Sequence, residues 1–387
     1  MGHQALRLFH ERTIRLMLSH CSNPRLLISV NVLSDAFITS LFSAGIGFFV
    51  LTLPQLTVLE ATRAVGIGIF GGTILSLALG RISDITSPTT ILSIVQFLQI
   101  TSYGLLPFVW NNHVLTLVIL GTIFFLGRLV SPLRGALPPF YLEKHELLPF
   151  KGKLRSWTLS VSLCGVGIAS LASLMDRFFP VLIVAVGTLC YTLCLSATFK
   201  LQPAHFPRKR PKEQPFNFSV LNQHEIQSWL WLLLCFSVIA ISSALFPYIV
   251  ANFDPKASWL LFASSLLGIT VNIVFQRYFL QLPAFKRLLR RRMVFALCLL
   301  IATLSLFFVA ASASQHFSYW LFCGVLLFSM LFTQIAQTLA AIVGWDVQYS
   351  AGEDSNRSLI VSIFALSSSL GVSVGQLAGG PLYDVLK

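Results

Sequence analysis

The sequence predicts an all-α integral membrane protein, and three observations carry that prediction. Eleven stretches that almost lack Asp, Glu, Lys and Arg run through the 387-residue chain, each long enough as a helix to cross a hydrocarbon core of ~30 Å. Hydrophobic residues make up 55% of the chain and charged residues only 11%, which leaves no soluble domain of useful size. The basic residues collect between alternate stretches, as they do in polytopic membrane proteins.

The predicted spans, numbered 1 to 11 in chain order, cover residues 26–53, 64–80, 89–110, 114–138, 156–175, 178–199, 229–253, 257–276, 293–315, 317–345 and 358–383. With a cytoplasmic N-terminus, 21 Lys and Arg fall on the cytoplasmic side and 4 on the other. Since cationic loops are retained in the cytoplasm, this bias predicts that orientation, in what we expect to be a bacterial inner membrane. The net charge of +13 is then a membrane signal, and we expect no nucleic-acid partner.

The chain divides into four segments. Residues 1–25 are too polar for a cleaved signal sequence and form a cytoplasmic N-terminal segment. Residues 26–199 form a six-helix bundle, residues 200–228 a basic cytoplasmic linker, and residues 229–387 a second bundle of five helices. Two bundles around a site at the membrane midplane are the usual architecture of secondary transporters.

A short motif follows span 2. The run Gly80-Arg81-Ile82-Ser83-Asp84 resembles the start of the cytoplasmic signature of the major facilitator superfamily, although the basic residues that usually follow are replaced here. The resemblance implies that Gly80 and Asp84 belong to a conformational latch between the two halves. A helix-capping role for the Asp is the alternative. The family usually has twelve spans and eleven are predicted here, so we expect the last to be lacking. A natural short form, a truncated gene and a miscounted first half are the alternatives.

A second resemblance covers spans 4 and 5. Residues 127–170, which contain the run SPLRGALPP, are similar to facilitator branches that export siderophores, drugs and macrolides, and also to the lysophospholipid transporter branch. By this resemblance we expect a small molecule to be moved across the membrane, with export favoured over import.

Charged residues inside two spans indicate a functional interior. In span 1, Asn31, Asp35, Thr39 and Ser43 recur every four residues and form one polar stripe. In span 4, Arg128 lies at a depth similar to that of Asp35, so we expect these two residues to pair. The carboxylate can then couple proton movement to substrate movement, or the pair can simply orient two helices. Arg134 belongs to the same group, with snorkelling to the lipid headgroups as its alternative.

Two further sets of residues complete the prediction. Gln334 and Gln337 of span 10 lie three residues apart and, with Asn31 and Thr39, are candidates for the substrate cavity; interhelical hydrogen bonding is the commoner use of such residues. Small residues at four-residue spacing favour close helix packing, which we expect to serve sliding between the two halves, with static close packing as the alternative. These are Gly68, Gly72, Gly371, Gly375 and Gly379.

Enzymatic chemistry has little support in the sequence. Residues 371–375 fit the G-x-S-x-G pattern, but that elbow needs a strand and a sharp turn that an apolar span does not offer. The chain has no GxxxxGK[ST] loop and no cysteines at metal-site spacing. We therefore expect no enzyme, no metal and no cofactor.

The combined interpretation is a monomeric secondary transporter in contact with membrane lipids. It moves a small molecule by alternating access, driven by protons or another ion. Lysophospholipid flipping and nutrient uptake stay open within transport. A non-transporting membrane receptor or assembly factor is the alternative from another class.

Overall fold

Eleven long α-helices occupy the eleven predicted spans. The computed structural model describes residues 23–53, 55–85, 88–142, 144–174, 179–201, 223–277, 291–313, 318–350 and 357–386. The helices are α1 Pro24–Leu51, α2 Val58–Ile85, α3 Pro88–Val109, α4 His113–Ala136, α5 Lys144–Ala172, α6 Phe179–Lys200, α7 Gln223–Phe253, α8 Trp259–Arg277, α9 Arg291–Ala313, α10 Tyr319–Ser350 and α11 Arg357–Leu386. A one-turn helix, Pro138–Tyr141, follows α4, and a short 3-10 helix, Pro255–Ser258, precedes α8.

Local capping explains where several helices begin. Asn23 caps α1 by accepting a hydrogen bond from the Arg25 backbone N–H at 3.1 Å, and Pro24 occupies the first helical position. At the start of α2, Thr57 and Glu60 bond to each other's backbone N–H in a capping box. Polar residues between the apolar runs therefore set the helix ends.

The helices differ in the length of their apolar segments. Nine helices, α1 to α4 and α6 to α10, contain segments long and apolar enough to cross a membrane, in the part of the chain that the structure describes. Helix α5 has a shorter apolar segment, Trp157–Ala172. Helix α11 is not among the nine, and its described part is rich in Gly and Ser, residues that allow close helix packing.

The boundary of the second half differs from the predicted one. Helix α7 begins at Gln223, so the last six residues assigned to the linker are helical. Residues 202–222 of that linker, and residues 1–22 of the N-terminal segment, lie outside the described residues.

The helices form two bundles with matching contacts. In the first bundle α1 packs on α5, α2 on α4, and α3 on α4; in the second, α7 packs on α11, α8 on α10, and α9 on α10. Between the bundles α2 contacts α11, α5 contacts α8, and α1 contacts α7. Adding six to both helix numbers converts each of the three contacts given for the first bundle into one of the three given for the second. This is the pattern of an internal repeat. The difference is that α6 packs against α1 and α3, whereas their counterparts α7 and α9 touch each other directly.

Candidate functional site

An ion pair between α1 and α4 lies inside the first bundle. The Asp35 carboxylate contacts the Arg134 guanidinium through Oδ2 and Nη1. The Arg134 side chain is 5% exposed and that of Asp35 is 23% exposed, so the cation is enclosed while the carboxylate remains accessible. A lone charge within a membrane helix costs on the order of 2.5–3.5 kcal/mol, and the pairing offsets part of that cost.

The expected pairing of Asp35 with Arg128 is therefore wrong. Arg134 lies in the buried-charge group in which it was predicted, and its alternative, snorkelling to the headgroups, does not hold. The depth argument compared Cα positions, whereas a guanidinium reaches several ångströms beyond its Cα. From near the end of α4, Arg134 reaches Asp35 inside the bundle.

Asn31 holds the same guanidinium from a second direction. Its Oδ1 accepts a hydrogen bond from Arg134 Nε at 2.7 Å, and its Nδ2 donates to Thr198 Oγ1 at 2.7 Å. Asn31 and Asp35 lie one helical turn apart, which lets both side chains face one partner. Thr198 donates in turn to Gln96 Oε1 at 2.8 Å. The network thus joins α1, α3, α4 and α6.

Aromatic side chains cover the Asp35–Arg134 pair on the side nearer the C-terminal end of α1. Tyr191 Oη donates to Asp35 Oδ1 at 3.0 Å, and the Tyr191 ring lies 5.6 Å from that of Tyr103. Phe42 lies 6.0 Å from Tyr103 and 5.6 Å from Phe124. Tyr103, Tyr191 and Phe42 are buried, so these rings fill the bundle interior beyond Asp35.

Three members of the network are absent from the sequence interpretation: Tyr191, Thr198 and Gln96. Each is a polar side chain in an apolar helix, and that isolation is the signal available in the sequence. Spacing within one helix cannot show which residue of another helix it meets.

The two bundles share a hydrophobic core at one end of the helices and have separate cores at the other. The shared core includes Phe49 near the end of α1 and Tyr248 near the end of α7. Toward the opposite ends, one separate core contains Leu27 of α1 and the other contains Leu232 of α7. The bundles are therefore packed together at the end where α1 and α7 finish.

Contacts between helices of the two bundles confirm which end is closed. Gly47 of α1 lies against the Pro247 carbonyl group of α7. Ser373 Oγ of α11 donates to the Gly66 carbonyl of α2 at 2.8 Å, and Ser170 of α5 donates to the Ser258 carbonyl next to α8. All three interbundle helix pairs are thus engaged at this end.

Polar residues line the space between the bundles below that closure. Thr39, Ser43 and Gly47 follow one another at four-residue intervals on α1. Gly47 touches α7 but Thr39 and Ser43 are exposed, which shows that the two helices diverge along this face. The structure therefore places Thr39 beside the space, whereas the cavity candidate Asn31 is buried in the network behind it.

The two glutamines of α10 have different surroundings. Gln334 lies against Gly268 of α8, so it serves helix packing in this arrangement. Gln337 is exposed and follows Met330 of the shared core by two turns, which places it on the side of α10 that faces the interior. Of the pair, Gln337 is the one in a position to meet a ligand.

The predicted glycines pack helices within each bundle, so the expectation that they form the sliding contact between halves is wrong. Gly68 and Gly72 of α2 lie against the backbone of α4, and Gly371 and Gly375 of α11 lie against α7. Gly379 also faces α7, where Ala244 is its neighbour. Periodic spacing indicates a close-packed face but does not identify the helix that occupies it. Among the described glycines, those that lie against the other bundle are Gly47, Gly66, Gly167 and Gly380.

The latch predicted at Gly80 and Asp84 stays a prediction. Gly80 and Asp84 lie near the end of α2, and their surroundings are outside what the structure describes. Among the described residues, no group of three or more His, Cys, Asp or Glu side chains could hold a metal ion.

Comparison with known proteins gives structural matches. No known family model and no curated protein matches the sequence. Among solved structures, the chain is similar to a mutant of the nucleoside transporter NupG, with a TM-score of 0.73 and 11% identity over 93% of this chain and 91% of that one. It is also similar to a D-xylose-proton symporter, with a TM-score of 0.67 and 12% identity over 92% and 89% of the two chains.

A third match is to a bacterial homologue of the iron transporter ferroportin in its inward-facing state. Its TM-score is 0.65, with 12% identity over 94% of this chain and 95% of that one. At such low identity these likenesses concern the fold alone. The predicted fold class, an all-α membrane protein of two helical bundles of the major facilitator type, is confirmed. The described residues form eleven long helices, of which nine are long and apolar enough to cross a membrane.

Proposed function

We propose that this protein is a secondary transporter that moves a small molecule by alternating access and couples that movement to protons at Asp35. The observation that carries the proposal is the Asp35–Arg134 pair, in which the carboxylate is 23% exposed and its partner is enclosed. Among the described residues of the first bundle, Asp35 is the one carboxylate away from the helix ends, so it is the group in that bundle on which a coupling proton would be carried.

The arrangement of the bundles supports the alternating-access part of the proposal. They are closed at the end where α1 finishes and diverge beside Thr39 and Ser43. With the orientation that the loop charges predict, the closed end is extracellular and the protein is inward-facing. Because Asp35 and Arg134 belong to the same bundle, rocking of the bundles changes the side that reaches the carboxylate without separating the pair.

The chain's likeness to solved transporters adds support at the level of fold. The direction we favour is export, on the resemblance of residues 127–170 to exporting facilitator branches. A proton-flux experiment in proteoliposomes distinguishes export from uptake and from lysophospholipid flipping.

The test is proton flux in proteoliposomes that contain a pH-sensitive dye, with siderophores, cationic drugs, amino acids, sugars and lysophospholipids added in turn. We expect one class of compound to produce a flux that Asp35→Asn abolishes. Ser40→Ala is the matched control, because Ser40 lies on the same helix but faces Gly165 of α5 and donates its hydrogen bond to the Phe37 carbonyl of α1. Flux that survives Asp35→Asn rejects Asp35 as the coupling group. Absence of flux with every compound favours a membrane receptor or assembly factor.

A further inference from the structure

Arg128 is a second cation that α4 places inside the membrane, and it has no counter-ion among the described residues. It forms no ion pair or hydrogen bond with any residue in the described part of the chain. Asp35 lies close enough to act on Arg128 electrostatically but is paired with Arg134. The Arg128 side chain is partly exposed.

The position of Arg128 on α4 determines what it faces. Phe124, one turn earlier, stacks on Phe42 of α1, and Phe125 lies against Gly71 of α2. Arg128 falls between these two faces. Because α1 contacts α7 and α2 contacts α11, the side of α4 that lies between α1 and α2 is directed toward the second bundle. Arg128 therefore points toward the space between the bundles.

The interior charges of the first bundle do not balance. Away from the helix ends, its described residues place one carboxylate, Asp35, and two guanidiniums, Arg128 and Arg134, within the membrane. Glu60 and Glu146 lie in the first turns of their helices. Asp84 lies about 18 Å along α2 from Gly72, the residue beside Arg128, at 1.5 Å per residue. One positive charge is left over in a region where an uncompensated charge is unfavourable.

We propose that the transported molecule is an organic anion and that Arg128 binds its carboxylate or phosphate group. The inference rests on the proposed transport function and names the substrate class for it. A guanidinium presents a planar set of donors that matches either group in two parallel hydrogen bonds. Thr39, Ser43 and Gln337 offer hydrogen bonds in the same space but no charge.

The test measures binding without any gradient, through the shift in thermal unfolding of the purified full chain. The probes are matched pairs that differ in charge: a sugar phosphate and its sugar, a nucleoside monophosphate and its nucleoside, and an N-acetylated amino acid and its amide. We expect the anionic member of at least one pair to raise the unfolding temperature, while its neutral counterpart does not. Arg128→Gln should weaken that binding about 10- to 100-fold, and Arg128→Lys should weaken it less.

Folding of the variant is checked in the same measurement. Without ligand, Arg128→Gln should unfold at or above the wild-type temperature, because an uncompensated charge has been removed. The proposal is overturned if a neutral compound binds as well as its anion, if Arg128→Gln binds the anion as tightly as the wild type, or if no anion produces a shift. Binding is read without flux, so this result and the outcome of the proton-coupling experiment stand independently.

Discussion

Asp35 and Arg134 form an ion pair although they are 99 positions apart in the chain and lie on helices that run in opposite directions. Asn31 and Tyr191 complete the site, so the guanidinium and the carboxylate each have a hydrogen-bonded neighbour besides each other. The pair is thus held within one bundle, while the space it borders lies between two. This arrangement allows the site to stay intact as access to it changes.

Arg134→Gln should destabilise the protein, because it leaves a carboxylate within the membrane without its cation. Breaking a buried pair by removing one partner costs about 3–5 kcal/mol. We expect a value near the lower end, since Asp35 is 23% exposed. Denaturant unfolding in detergent measures the change.

Arg128→Gln is the matched control for that experiment. It makes the same chemical change on the same helix at a residue without a partner in the described chain. Equal losses of stability in the two variants would show that the ion pair contributes nothing particular to the fold.

Asn31→Leu should lower the free energy of unfolding by about 1–3 kcal/mol, because Arg134 Nε and Thr198 lose a buried hydrogen-bond partner. Thr39→Val, two turns further along α1 at an exposed position, should change it by less than about 0.5 kcal/mol. The comparison uses the same unfolding assay. A loss in Asn31→Leu no greater than in Thr39→Val contradicts the network described for α1.

Thr39→Cys should react with a membrane-impermeant thiol reagent from the cytoplasmic side, because Thr39 borders the space that opens away from the closed end. The experiment uses a protein in which the exposed Cys164, and also Cys21, have been replaced, so that the introduced thiol is the one that is labelled. Ile38→Cys is the control, since Ile38 is next to Thr39 in the sequence and is fully buried. Labelling of Thr39→Cys only from outside would reverse the orientation assigned from the loop charges.

Gly47→Ala should shift the protein toward a state open at the other end. A Cβ at this position meets the Pro247 backbone of α7, which cannot move aside as a flexible side chain can. We expect labelling at Ser43→Cys to rise from the outside and to fall from the cytoplasm. Gly104→Ala provides the control, because a Cβ there meets no atom within 4 Å. Unchanged labelling in Gly47→Ala would show that this contact does not limit opening.

The sequence allowed the helices to be predicted closely, because charged residues are excluded from hydrocarbon over the whole length of a span. It also identified Asp35 and Asn31 as members of one face of α1, since that relation depends on spacing within a single helix. The partner of Asp35 was predicted wrongly, because it depends on the reach and direction of an arginine side chain from another helix.

The glycines show the same limit. Gly68 and Gly375 were correctly associated with close packing, but the helix each one meets is set by tertiary arrangement. Gly47 and Gly66, which do contact the other bundle, have no more distinctive spacing than those that do not. Which end of the molecule is closed likewise follows from packing between the bundles, and the sequence of a single helix does not determine it.

The measurement that tests proton coupling at Asp35 most directly compares two transport modes of Asp35→Asn in proteoliposomes. One is exchange of the identified substrate across the membrane without a gradient, and the other is uphill accumulation driven by a pH difference. We predict that the variant retains exchange and loses accumulation, because alternating access continues while the proton site is gone. Accumulation at the wild-type level in Asp35→Asn would contradict the account and move the coupling group elsewhere.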